Sequence, residues 1–208
     1  MLNTFGGFPE PLLSSHNFEK EKTLVESARW HKQYFSDIMR EDILEFSRIH
    51  EINTMKLLIQ LLRFRVGSPL SYNALAEDLQ VSPNTIKKYI QILESLYIIF
   101  LIHPFHRNIA RSLLKEPKVY FYDTAFIDGD EGIKLENTSA VCLLKYIQFQ
   151  QDAKGEDVDL FYLKTKEKKE VDFVITRDDK PIQLVYNLLQ NETVNNKNIL
   201  KPGNGFPN

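Results

Sequence analysis

The chain holds a single cysteine, Cys142, no long apolar run and no excess of charge of either sign. Each shortage removes a class of protein. One cysteine makes neither an internal disulfide nor a CxxC metal site, and it suits a reducing, cytoplasmic setting. The longest apolar stretch, LYIIFLI from Leu96 to Ile102, falls far short of the roughly 20 residues that span a bilayer as a helix. No basic leader with an apolar core opens the chain, so neither a secretory signal nor a membrane partner is expected. Lysine and arginine number 26 against 28 acidic residues, a net charge of −2. The whole molecule therefore does not attract nucleic acid by its charge, and any such contact has to come from a local patch.

What is present is ordinary globular material. The 208 residues are 43% hydrophobic, enough for one large or two small domains. Residues 1–52 read as a Gly/Pro-rich linker followed by helix, with apolar positions at mixed three- and four-residue spacings from about Phe18 to Ile49. One long helix or two both satisfy that pattern. A further helical stretch, MKLLIQLLRFRV, ends at Gly67.

Residues 53–126 suggest a winged helix-turn-helix. Ser71 is placed to cap a helix through Leu79. Ser82 caps a second, with Pro83 at its first position, where a missing N–H costs nothing. Ile86, Tyr89, Ile90, Leu93 and Leu96 form the apolar stripe of that second helix. IIFLIHPF and KVYFYD are the expected strands of the wing. In a DNA-binding module the second helix meets the major groove. Its outer face would carry Asn84, Thr85, Lys87, Lys88 and Gln91, the residue types that contact phosphates and bases. The bland readings are a plain three-helix packing unit and a protein-binding winged helix. A second cationic candidate, residues 103–118, offers Arg107, Arg111, Lys115 and Lys118 against Glu116, and a merely solvated face explains it equally well.

Residues 127–190 change character. A helix over about Lys134 to Gln150 precedes three strands, DLFYLKT, EVDFVIT and PIQLVYN, with RDDKP as the turn between the last two. This succession matches half of a metal-dependent nuclease core, in which carboxylates on successive strands hold Mg²⁺ and a lysine two residues beyond the second carboxylate serves the reacting phosphate. Asp172 fits the first strand carboxylate and Glu136 the helix glutamate. The second carboxylate and the lysine are replaced by Gln183 and Val185, a weak neutral ligand and an inert side chain. Literal spacing matches at Asp178-Asp179-Lys180 and Glu167-Lys168-Lys169 fall in charged turns. Residues 191–208, rich in Asn and Gly, suggest a disordered tail.

Together, GGFPEP (6–11), REDI (40–43), residues 70–99, PKVYFYDTAF (117–126), LEN (135–137) and EVDFVI (170–175) resemble the C-terminal half of bacterial and archaeal AAA-type ATPases. In these a P-loop core is followed by a winged helix and a restriction-endonuclease-like domain of unknown function. The resemblance implies an α/β (α+β) chain, N-terminal helices and winged helix before a small PD-(D/E)xK-like unit. It also implies an ATPase core or other proteins as partners. No GxxxxGK[ST] occurs, so ATP is expected only in a full-length parent, and the chain looks like a piece of one. The expected function is a non-catalytic module that binds duplex DNA weakly, or a partner, through its winged helix, with no cofactor of its own. The alternatives are a nuclease with rearranged ligands, using Mg²⁺ held by Glu136 and Asp172, and a protein-interaction platform. If Glu136 and Asp172 hold no metal, they are expected as buried acids paired with neighbours such as Lys169 or Tyr162.

Overall fold

The computed structural model describes residues 5–14, 20–40, 49–105, 115–164 and 170–185. These form a mixed α/β structure with helices α1 (Pro9–Ser14), α2 (Lys20–Arg40), α3 (Ile49–Arg63), α4 (Tyr72–Leu79), α5 (Pro83–Ser95) and α6 (Glu131–Lys154). The strands are β1 (Ile99–Pro104), β2 (Lys118–Phe121), β3 (Val158–Lys164), β4 (Glu170–Arg177) and β5 (Lys180–Val185), in the order β2-β1-β3-β4-β5. The expected tail and the Arg107/Arg111 segment lie outside the described residues. The chain divides into two packed units, residues 1–101 with 118–141, and residues 102–117 with 142–208. The boundary expected near 126/127 lies inside the first of these, because β2 and the start of α6 pack with the N-terminal helices.

In the first unit, α3 buries Ile52, Met55, Leu58, Ile59 and Leu62 at three- and four-residue spacings. Helices α4 and α5 pack on this core through Leu75, Ile86, Tyr89, Ile90 and Leu93. Their ends are fixed locally. The Ser71 hydroxyl accepts from the Ala74 amide and the Ser82 hydroxyl from the Thr85 amide. Gln80 closes α4 in the left-handed conformation, φ 54.

The two strands expected to form a wing do not stand alone. Strand β1 lies between β2 and β3 and pairs in parallel with β3, His103 opposite Phe161. Its residues are buried or half-buried throughout. A wing has one wet face, whereas an unbroken apolar run such as IIFLI is the pattern of a strand covered on both faces.

In the second unit, β3, β4 and β5 form an antiparallel meander. Asp178 and Asp179 turn the β4–β5 hairpin with positive φ of 49° and 61°, the geometry of a two-residue type I′ turn. Ile147 of α6 packs with Val158 and Ile175 on one cluster, and Leu163, Val171 and Val174 make another.

Candidate nucleic-acid interface and the nuclease-like positions

Helix α5 separates its side chains cleanly. Ile86, Tyr89, Ile90 and Leu93 are buried, while Asn84, Lys87, Lys88 and Gln91 are exposed. The exposed set has the spacing i, i+3, i+4, i+7, which places it on one helix face. Thr85 is half-buried, and its hydroxyl lies 2.8 Å from that of Ser82 at the cap. It therefore serves the helix end and differs from the four outward residues. Of the second cationic stretch, Lys115 is exposed but Lys118 is 1% exposed, with its ammonium 3.9 Å from Glu136. Lys118 is thus removed from any phosphate-facing patch.

Glu136, near the start of α6, is held by the first unit. Its Oε1 accepts from the Tyr120 hydroxyl at 2.9 Å as well as facing Lys118. Gly67, at φ +73, makes room for it, since a Cβ there would come within 2.5 Å of the same oxygen. The next residue, Asn137, is fully buried and clamps the backbone of β2. It accepts from the Phe121 amide and donates to the Phe121 carbonyl, both at 2.8 Å. LEN and PKVYFYD are therefore the two sides of one polar contact. The acid was expected beside Lys169 or Tyr162. Lys118 and Tyr120 are its partners in the structure, while Lys169 lies outside the described residues.

A second contact of this kind surrounds Asp123. Its carboxylate is 3% exposed and accepts from the Gly7 amide, the Ala125 amide and His31 Nε2. His31 Nδ1 faces the Ser27 carbonyl at 2.7 Å. Both ring nitrogens thus meet oxygen acceptors, which only an imidazolium satisfies by donating twice. Burial disfavours that charge, but the hydrogen bonds to Asp123 and Ser27 outweigh it and raise the His31 pKa above its ordinary value. Gly6, at φ +77, lies so close to Asp123 that any Cβ would collide with the carboxylate. Phe8 then packs at a tilt against Trp30 and Tyr34, with ring centroids 5.2 and 4.6 Å away.

In the second unit, Asp172 sits at an irregularity. Phe161 pairs with Val174 but Leu163 with Val171, so β4 holds one more residue than β3 over this stretch. The surplus makes a bulge at Asp172-Phe173. Val171 and Val174 consequently share a face, and they do cluster together with Leu184. Asp172 and Phe173 turn to the other face, which is also that of Gln183 and Val185, since Ile175 pairs with Gln183 and Phe173 with Val185. Gln183 is exposed and Val185 half-buried. Tyr162 donates its hydroxyl to the Glu116 carbonyl at 2.7 Å. Its pKa is pushed up to about 12 by burial, with Glu170 and Glu116 adding to it, so it stays a donor.

These groups do not fit Mg²⁺. A hard dication requires several anionic or carbonyl oxygens. Glu136 already answers an ammonium and a phenol, Gln183 is neutral and Val185 has no ligand atom. Among the described residues, no group of three or more His, Cys, Asp or Glu side chains could hold a metal ion. The literal match at Asp178-Asp179-Lys180 is exposed in the hairpin turn.

The sequence profile of a family described as a domain of unknown function, DUF8612, matches residues 2–129. Two curated relatives match as well, the uncharacterized proteins Mb2031c of Mycobacterium bovis and Rv2008c of Mycobacterium tuberculosis. Each is 22% identical over 182 residues, covering 85% of this chain and 40% of the relative. The chain thus spans 40% of the length of these relatives. No solved structure matches.

Proposed function

Because the chain belongs to the DUF8612 family of domains of unknown function, we propose its role from its chemistry: a non-catalytic module that binds duplex DNA weakly through α5. In this reading α4 and α5 form a helix-turn-helix, and α5 enters the major groove. The observation that carries it is the exposed face Asn84, Lys87, Lys88 and Gln91, set opposite a buried stripe. Lysines supply sequence-independent attraction to phosphates, and the amides can address base edges. With a net charge of −2, the binding is weak, tolerant of sequence and sensitive to salt.

The second unit is proposed as a nuclease-like scaffold that does not cleave. In this reading Asp172 is the one remaining strand carboxylate, and the other two positions are Gln183 and Val185. The resemblance to AAA-type ATPases supports placing the module within a longer ATPase, where ATP would belong to a P-loop core and that core would be a partner.

Hydrogen–deuterium exchange with and without a 20-base-pair duplex tests the reading. Slowed exchange over residues 82–95, with none over 170–185, is the expected result. Protection confined to the hairpin would overturn it.

A further inference from the structure

A concave site in the first unit plays no part in that reading. One face of α2 and one face of α3 do not close on each other but leave a cleft of about 570 Å³, floored by Ala125 and Phe126. That is the size of an ordinary small-molecule pocket. Its lining is mixed, with apolar side chains beside Ser27, His31, Lys32, Gln60 and Arg63. Leu24 is 43% exposed, Ala28 is exposed, and Phe35 and Phe126 are half-buried, so apolar surface is left facing a hollow. Such surface is usually covered in a protein interior.

The charged groups at the cleft have one sign. Lys32 is exposed at its rim, and Arg63 reaches it from α3. Arg63 is oriented by donating its Nε–H to the Phe126 carbonyl, with a terminal nitrogen 3.9 Å from exposed Asp128. His31, whose nitrogens are taken by Ser27 and Asp123, closes the inner end. Among the described residues that line the cleft, none is acidic. A guanidinium fixed by a backbone carbonyl is well placed to receive a planar or tetrahedral oxyanion.

We propose that this cleft binds a small organic anion with an apolar body, its carboxylate or phosphate on Arg63 and Lys32 and its body against Leu24, Phe35 and Phe126. The walls alone would accept a neutral compound equally well; the cations make the selection.

Isothermal titration calorimetry on the intact chain tests this with three probes of one shape: 2-naphthoate, 2-naphthyl phosphate and neutral 2-naphthamide. Saturable one-site binding of an anion, with the amide roughly tenfold weaker or undetected, is expected for one charge-assisted contact. Whichever anion binds more tightly identifies the head group. Lys32→Gln and Arg63→Gln should each weaken the anion several-fold and leave the amide unchanged. Ala28→Phe places a ring in the hollow from an exposed helix position and should abolish binding of all three while the circular dichroism spectrum stays that of wild type. Absence of saturable anion binding, equal binding of anion and amide, or full binding by Ala28→Phe would overturn the proposal.

Discussion

Helix α5 and the β4–β5 hairpin are covered differently: α5 has a buried stripe and an exposed face, whereas β4 is buried on both faces. Ile86, Tyr89, Ile90 and Leu93 lie beneath the helix, while Val171 and Val174 pack with Leu163 on one side of the hairpin and Ile175 packs with Ile147 and Val158 on the other. What they present differs. The helix shows Asn84, Lys87, Lys88 and Gln91, whereas the hairpin strand β5 shows Lys180 at the turn and then Ile182 and Gln183. Packing holds both scaffolds without reference to the chemistry on them. On the proposed reading of the hairpin as a nuclease-like scaffold, a fold keeps the shape of a cleaving site after its ligands are gone.

The comparison can be broken from beneath. Leu93 is fully buried under α5, and Leu93→Ala should cost about 2–5 kcal/mol in urea unfolding. A loss below about 1 kcal/mol would mean that α5 is not anchored by its stripe. Glu136→Ala sharpens it from another side. If this acid pairs with Lys118 rather than waiting for metal, its removal takes an opposite charge away from a buried ammonium. Since Glu136 is itself 16% exposed at its side chain, the loss should be about 2–3 kcal/mol, below that of a fully buried pair. Unchanged or increased stability would return Glu136 to the catalytic reading.

Cleavage is the next test. Supercoiled plasmid incubated with Mg²⁺ or Mn²⁺ should stay intact with wild type and with Asp172→Ala alike, because loss of one transition-state charge contact commonly costs roughly 10²–10³ in rate and two positions lack theirs. Nicking by wild type that disappears in Asp172→Ala would refute this. Nicking by Gln183→Glu/Val185→Lys alone would show that the scaffold outlived its ligands.

A smaller effect concerns pH. The folded-state pKa of His31 lies above 6.5, so its contribution is complete below the unfolded value and fades as pH rises through the folded one. Asp123→Asn removes the charge that holds the imidazolium. The gap in melting temperature between wild type and this variant should shrink from about pH 6 to about pH 8.5. A gap that widens over that range would contradict the charged assignment.

Much of this molecule was legible because its signals are local. The caps at Ser71 and Ser82 and the stripe of α5 lie within a few residues of one another, and β3 to β5 each alternate or are rich in branched and aromatic residues. Strand β1 has β2 as the expected neighbour, but its second neighbour β3 is not legible, because an apolar run reveals burial without naming what covers it. The polar contacts were hidden by distance along the chain: His31 and Asp123 stand 92 residues apart, and Gly7 and Asp123 stand 116 apart. Glu136 was singled out for its spacing from Ala140 and Leu143, but nothing local discloses that Lys118 faces it. The bulge at Asp172 was equally silent, since one surplus residue becomes visible only against the register of β3.

Duplex binding by fluorescence anisotropy across a salt series, with wild type and Lys87→Ala/Lys88→Ala side by side, bears most directly on the DNA-binding role of α5. Wild type should bind weakly, with log affinity falling linearly against log salt. The double variant should bind less tightly on every sequence, with a slope flatter by up to about 2 units. Identical affinity and slope for the two proteins would contradict it and take the DNA contact away from α5.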